Sequence, residues 1–121
     1  MYTTQIKELI GKTLIRADIK KGEETAFFET CSGEIYKMYH QQSCCESVII
    51  EDVCGDVSDL IGSPIIRAQE SSNNDDKPHE YSESWTWTFY RISTAKGQVV
   101  IRWLGESNGY YGESVDFSRI K

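Results

Sequence analysis

The stretch WTWTFYRIS (85–93), followed by a short turn and by GQVVIRWLGESNGYYGESVDF (97–117), decides the fold class of this chain. In the first run, aromatic residues alternate with threonine and tyrosine at a period of two, which fits a pleated, half-buried strand. Asn108 and Gly109 lie between two further strand-like segments. This dipeptide is a strong hairpin signal, because both central residues of a type I′ turn need positive φ. The stretch therefore predicts three consecutive antiparallel strands.

The register of the predicted last hairpin contains a conflict. A two-residue turn would place Trp103 opposite the polar Ser114. A one-residue bulge at Gly105 or Gly112 would place Trp103 opposite Val115 instead, and glycine often marks such bulges. We favour the bulged register.

Short strand-like segments also fill the first half of the chain. Residues 13–19, 25–30 and 34–40 are separated by turn residues and predict a three-stranded meander. Residues 47–54 are β-branched and apolar enough for a buried strand, and a further strand is expected over 64–68.

Two short helices are predicted between these strands. Thr4 is a suitable N-cap for a helix over 5–10 that ends at Gly11, and Asp56 is a suitable N-cap for a second helix that ends at Gly62. The expected fold class is therefore α+β, with one domain over residues 1–121. Most of it is an antiparallel β-sheet of about seven or eight strands, with two short helices.

Composition places the chain among soluble globular domains. Of its 121 residues, 39% are hydrophobic and 26% are charged, and no apolar run approaches the ~20 residues that span a bilayer. The first residues lack the features of a secretion signal, so we expect a cytoplasmic protein without membrane contact. The four cysteines are then expected to stay reduced.

The charge is unevenly distributed. The formal net charge is −6, which argues against direct nucleic acid binding, because such sites need clustered lysine and arginine. Residues 46–83 hold ten acidic and two basic side chains, a net charge of −8. Within this segment, residues 71–82 are too polar to order themselves by burial and predict a mobile acidic loop.

One cluster resembles a metal or nucleophile site, formed by His40, Cys44, Cys45, Glu46 and Cys54. Its H-x₃-C-C spacing is poor for zinc, because adjacent cysteines on an extended chain point to opposite sides. A Cys–His nucleophile pair lacks a third residue to orient it. We therefore expect no metal, no cofactor, no catalytic residue and no enzymatic activity.

The tip of the predicted hairpin is the stronger candidate for binding. Phenols and an amide beside an arginine can stack on a flat ligand and hydrogen-bond its edges, and strand arginines can meet a phosphate. The alternative is an exposed turn whose tyrosines cover neighbouring strands. We expect the three tryptophans, Trp85, Trp87 and Trp103, to belong to the core. The candidate ligand-binding residues are Arg91, Arg102, Asn108, Tyr110 and Tyr111, with help from His40 and Arg67.

Two blocks carry a family resemblance, CCESVIIEDVCGDVSDLIGSPIIRAQE (44–70) and WTWTFYRISTAKGQVVIRWLGESNGYYGESVDF (85–117). Both resemble a small domain of unknown function encoded by tailed phages and prophages. The resemblance implies an accessory protein in the host cytoplasm that antagonises bacterial immunity. It implies no catalytic residue.

Two mechanisms are compatible with that context. The protein could be a sponge, a homo-oligomer that sequesters a nucleotide-derived immune signal with arginines and tyrosines. Alternatively, it could be an acidic inhibitor that mimics DNA and blocks a host defence nuclease. The residues for that contact would be Asp75, Asp76, Glu80 and Glu83. A structural or interaction module without a ligand is a further alternative.

Overall fold

The structure, a computed structural model, describes residues 2–3 and 5–121 and forms two antiparallel sheets. The strands are β1 (Tyr2–Thr3), β2 (Leu14–Asp18), β3 (Thr25–Thr30), β4 (Ile35–Tyr39), β5 (Ser47–Cys54), β6 (Arg67–Asn73), β7 (Ser84–Thr94), β8 (Gly97–Ser107) and β9 (Asp116–Arg119). The first sheet has the order β1-β9-β4-β3-β2 and the second has the order β5-β8-β7-β6.

The two sheets enclose one hydrophobic core. Alternate residues of each strand point inward, as in Thr25–Thr30, where every second residue is buried. The Trp103 indole of the second sheet is fully buried and donates a hydrogen bond to the Met38 sulfur of the first, at 3.1 Å. Next to it, the rings of Tyr36 and Phe117 stack with centroids 5.3 Å apart.

The predicted α+β class is wrong, because the described residues contain no α-helix. The two predicted helices are single 3₁₀ turns, Ile6–Leu9 and Val57–Leu60. Each turn is four residues long and is soon followed by a glycine with positive φ, so it ends before α-helical hydrogen bonding can propagate. Asp56 does act as the expected N-cap, since its side chain accepts a hydrogen bond from the Ser58 amide at 3.0 Å. The other expected cap, Thr4, lies outside the described residues.

Most of the predicted strands are confirmed. β2, β3 and β4 form the expected meander, and β5 covers the expected residues 47–54. A two-residue turn joins β7 to β8, with Thr94 opposite Gly97. The strand expected at 64–68 begins at Arg67 and continues to Asn73, so the first part of the predicted loop lies in β6.

The predicted hairpin at Asn108 and Gly109 is wrong. β8 pairs with β5 on one edge and with β7 on the other, so neither edge is available to β9, which joins the first sheet. Gly109 does have positive φ, but the turn belongs to a connection between the two sheets. Gly105 is not bulged, because it pairs in register with Val48 and Thr86. The bulges of the described strands lie in β2 and β5.

No helix among the described residues is long and apolar enough to cross a membrane.

Candidate functional site

The outer face of the second sheet carries large side chains that the core does not use. In β7, Tyr90 and Ile92 are fully buried, and the residues between them point to the opposite side. Four side chains of β7 therefore lie on this outer face: Trp85, Trp87, Phe89 and Arg91. The expectation that all three tryptophans belong to the core is correct only for Trp103.

Arg67 and Arg91 form a basic pair on this face. Arg67 lies opposite Ser93 and Arg91 lies opposite Gln69, so the two arginines occupy adjacent rows of the sheet. The Gln69 side-chain oxygen accepts hydrogen bonds from Arg67 Nε at 2.9 Å and Nη2 at 2.7 Å, and Arg91 donates to Ser71 Oγ at 2.9 Å. Within the described residues, neither guanidinium lies within 4.0 Å of a carboxylate.

Arg102 is on the same face, but its charge is neutralised. It lies opposite Phe89 of β7 and Asp52 of β5. Its Nε donates to Glu51 at 2.6 Å, its Nη2 lies 2.5 Å from the same carboxylate, and Asp52 is 3.9 Å away. The guanidinium is also 5.3 Å from the centroid of the Trp87 ring. This arginine is therefore less available to an anion than the basic pair.

Residues 74–83, which we call the strap, fold over the aromatic end of the outer face. The Trp85 indole donates to the carbonyls of Asn74 and Asp75 at 3.0 and 2.9 Å, and the Trp87 indole donates to those of Asp75 and Asp76 at 3.0 Å each. Asp76 has φ 40°, the left-handed conformation that aspartate tolerates better than most residues. The two half-buried indoles thus hold the beginning of the strap.

Glu106 of β8 holds the other end of the strap. Ser82 Oγ donates to this carboxylate at 2.7 Å, and His79 Nε2 lies 3.6 Å from it. Between these anchors and the sheet is a cleft of about 470 Å³. Its lining includes Trp87, Leu104 and Ile49 from the sheet, Lys77 from the strap and Lys21 from the β2–β3 turn.

The four acidic residues of the alternative hypothesis all lie in the strap. Asp75, Asp76, Glu80 and Glu83 are exposed, and none of them forms an ion pair with another described residue. They present negative charge on the side of the molecule that also carries the basic pair.

The structure does not bring the predicted tip residues together with Arg102. Asn108, Tyr110 and Tyr111 lie in the β8–β9 connection, and Tyr110 is 88% exposed. Arg102 lies five residues before the end of β8, about 17 Å along the strand. The Asn108 side chain instead accepts a hydrogen bond from the Tyr110 amide at 3.0 Å, a local turn contact.

His40 is held in a structural contact. Its Nδ1 lies 2.6 Å from the Ser114 carbonyl oxygen and its Nε2 lies 2.7 Å from a Glu46 carboxylate oxygen. Both partners are acceptors, so both ring nitrogens carry protons and the side chain is an imidazolium. Burial lowers the pKa of His40, but the hydrogen bonds to Glu46 and Ser114 outweigh it and raise the pKa overall.

The Glu46 carboxylate lies at the centre of the loop formed by residues 41–46 and accepts hydrogen bonds from it. Hydrogen bonds from His40, then from the Cys44 and Ser43 amides, lower the pKa of Glu46 to about 2 against an opposing effect of burial. The sulfur atoms of the adjacent Cys44 and Cys45 lie next to each other, and Cys31 and Cys54 are free thiols. Among the residues that the structure describes, no group of three or more His, Cys, Asp or Glu side chains could hold a metal ion.

A second, larger cleft of about 630 Å³ lies at the β6 edge of the sheet. Lys7, Glu70 and Asp116 are among the residues that line it. Near it, the Tyr90 hydroxyl is buried without a hydrogen-bond partner among the described residues. Burial raises the pKa of Tyr90, and the neighbouring Glu70 carboxylate adds to this effect.

The fold and the site can be compared with known proteins. A family described as a domain of unknown function (DUF7448) matches residues 7–117. The chain belongs to this family. No curated protein and no solved structure matches the chain.

The DUF7448 match includes every element of the outer face. β5 to β8, the strap and both lysines of its cleft lie within residues 7–117. Sequence reasoning selected Arg67, Arg91 and Arg102 as ligand-binding residues of a site at the hairpin tip, but it missed Trp87 and Phe89. The period-two pattern of β7 was the available signal, because it divides the strand into an aromatic face and a threonine-rich face.

Proposed function

We propose that this DUF7448 chain is a non-enzymatic binding protein that takes up a flat, anionic, nucleotide-like ligand on the outer face of its second sheet. The observation that carries the proposal is the basic pair, Arg67 and Arg91, beside the half-buried ring of Phe89. A guanidinium without a carboxylate partner is a strong donor to phosphate, and an aromatic face stacks on a base.

The local charge supports phosphate binding although the whole protein is acidic. Glu70 is the acidic residue closest in sequence to the row formed by Gln69 and Arg91. Side chains alternate along a strand, so Glu70 belongs to the opposite face of β6 from Gln69 and Ser71, although it meets Arg91 at the cleft along the β6 edge. The hydroxyl of Ser71 and the amide of Gln69 provide further polar groups beside the two arginines.

The biological role that we propose for this binding is sequestration. The resemblance to phage and prophage accessory domains supports a sponge that removes a nucleotide-derived immune signal in the host cytoplasm, as a homo-oligomer. A sponge needs no catalytic residue, and its ligand would leave unchanged when the protein is denatured.

Isothermal titration calorimetry with a panel of nucleotides tests the proposal. We expect Arg91→Ala to weaken binding by at least about tenfold, because a charge-assisted hydrogen bond to phosphate is lost. The matched control is Arg16→Ala, since Arg16 is an exposed arginine on the first sheet that is paired with Asp18 at 2.7 Å. Equal affinities for both variants and the wild type, or chemical conversion of the ligand, would contradict the proposal.

The exposed carboxylates of the strap favour a second candidate function, an acidic inhibitor of a host defence nuclease. In that case, replacing Asp75, Asp76, Glu80 and Glu83 by the corresponding amides should abolish inhibition, and inhibition by the wild type should weaken as salt is added. Inhibition that survives the four replacements would remove the strap from the contact. If neither ligand binding nor inhibition is observed, an interaction module without a ligand remains.

A further inference from the structure

We propose that the cleft under the strap holds the planar base of the ligand whose phosphate end lies on the basic pair. The ligand would then be a nucleoside polyphosphate or a dinucleotide rather than a nucleoside monophosphate. This inference rests on the proposed function and adds the length of the ligand to it.

The floor of the cleft is suited to a flat aromatic ring. Trp87, Leu104 and Ile49 lie directly opposite one another on three adjacent strands, so they form one continuous apolar row across the outer face. The cleft of about 470 Å³ lies in the ~300–1,000 Å³ range of small-molecule sites. A site for a purely polar ligand would not require such an apolar row on the outer face.

The roof of the cleft is held by contacts within the protein. The two indoles hold the first residues of the strap, and Glu106 holds Ser82 at its other end. Residues 76–79 therefore bridge the apolar row between two fixed points, and a ring that enters does not have to order the strap first.

Cations lie at the same cleft. Lys21 and Lys77 line it from opposite sides, one from the β2–β3 turn and one from the strap, and both are exposed. Their ammonium groups complement a sugar–phosphate chain that leaves the cleft toward solvent. Three carboxylates also line the cleft, those of Glu51, Asp76 and Glu106. Glu51 is paired with Arg102 and Glu106 accepts a hydrogen bond from Ser82, and carboxylates at such a site can accept hydrogen bonds from base amino groups.

The distance between cleft and basic pair sets the ligand length. Trp87 and Arg91 are four residues apart on β7, which places their rows about 13 Å from each other along the strand. Phe89 lies between them on the same face. A base and its first phosphate are separated by a single ribose, which is too short for this span, whereas a polyphosphate chain or a second nucleotide reaches it.

A ligand series with the wild-type protein tests the span without any variant. We expect ATP or the dinucleotide pApA to bind at least about tenfold more tightly than AMP and than inorganic triphosphate in calorimetry, since only the longer nucleotides place a base in the cleft and a phosphate on the basic pair. Equal affinity for AMP and for both longer nucleotides would overturn the inference, and so would equal affinity for ATP and inorganic triphosphate.

A variant that fills the cleft provides the second test. Ile49→Trp should reduce the affinity for the long nucleotides to that for inorganic triphosphate, while binding of triphosphate itself is unchanged. The matched control is Ile15→Trp, because Ile15 is a 54% exposed isoleucine on the first sheet. Unchanged nucleotide affinity in Ile49→Trp would overturn the inference. If Arg91→Ala weakens all ligands but their length makes no difference, only this inference fails; if no ligand binds, the proposed function fails with it.

Discussion

The two faces of the second sheet use the same strands for different purposes. The inner face of β7 and β8 places Tyr90, Ile101 and Trp103 in a core from which solvent is excluded. The outer face of the same strands carries Trp87 and Arg91, which remain partly accessible. Large aromatic residues on the inner face are explained by packing between the sheets, whereas those on the outer face have no second sheet to pack against.

Charge separates the two outer faces of the molecule as well. On the first sheet, Arg16 pairs with Asp18. On the second sheet, Arg102 is paired with Glu51, but the basic pair is not paired with any described carboxylate. An arginine whose charge is already compensated stabilises the fold modestly, while an uncompensated one is available to a ligand.

The largest expected effect is the difference in stability loss between a variant of the inner Trp103 and a variant of the outer Trp87. Trp103→Ala should destabilise the protein by about 3–5 kcal/mol, because it leaves a cavity between the sheets and removes the contact with Met38. Trp87→Ala should cost only about 1 kcal/mol, since it removes hydrogen bonds to the strap from a half-buried side chain. Urea denaturation of both variants measures the difference.

Ligand binding should show the reverse order for the same substitutions. A Trp103 variant that remains folded should bind nucleotides like the wild type, whereas Trp87→Ala should lose affinity. Similar losses of stability in the two variants would mean that the strap buries Trp87 as fully as the core buries Trp103.

The sequence alone predicts many strands of both sheets, for a physical reason. Alternation, turn residues and β-branching are local properties, and they were sufficient for β5, for the meander and for the turn between β7 and β8. They identify two faces of β7 but not which face is buried, because Trp87 and Tyr90 are both large and amphipathic. Which face of β7 is buried depends on where the first sheet packs, and the position of that sheet is not a local property of the β7 sequence.

The same limit explains the errors in the connection after β8 and in the candidate site. Asn108 and Gly109 do form a turn, but whether a turn closes a hairpin depends on which edge of β8 is free, and β5 occupies it. Likewise, Arg102 and the candidate residues of the tip are close in sequence but are separated by about half the length of β8. The basic pair was recognised as two separate arginines, since only the register of β6 on β7 makes them neighbours.

Stability should depend on pH through a buried pair that lies on neither face. The pKa of His40 is raised above its ordinary value of 6.5, so its contribution is complete below pH 6.5 and is lost as the pH rises through the raised pKa. The pKa of Glu46 is lowered from 4.5 to about 2, so its contribution is complete above pH 4.5 and is lost as the pH falls toward 2. The pair should therefore stabilise the fold most between about pH 4.5 and 6.5.

Thermal unfolding of the wild type and of His40→Gln across pH 4 to 9 measures this dependence. The variant should lose the decrease in stability above pH 6.5 that the wild type shows. Nucleotide binding at the outer face should not follow the same titration, because His40 contacts Glu46 and Ser114 and not the basic pair. A parallel pH dependence of binding and stability would connect this pair to the site.

The smallest expected effect concerns the one polar group that the inner face of β7 leaves unsatisfied within the described chain. Tyr90→Phe removes a buried hydroxyl that has no hydrogen-bond partner there, so it should leave stability unchanged or raise it by up to about 1 kcal/mol. Chemical denaturation measures the change, with Tyr39→Phe as the control, because the Tyr39 hydroxyl lies 3.3 Å from Ser118 Oγ. A loss of more than about 1 kcal/mol for Tyr90→Phe would show that the hydroxyl has a partner in solution. The nearby Glu70 carboxylate would be the first group to test, since it lines the cleft at the β6 edge. The inner face would then carry a further polar contact beside the hydrogen bond from Trp103 to Met38, and its contrast with the outer face would be one of degree.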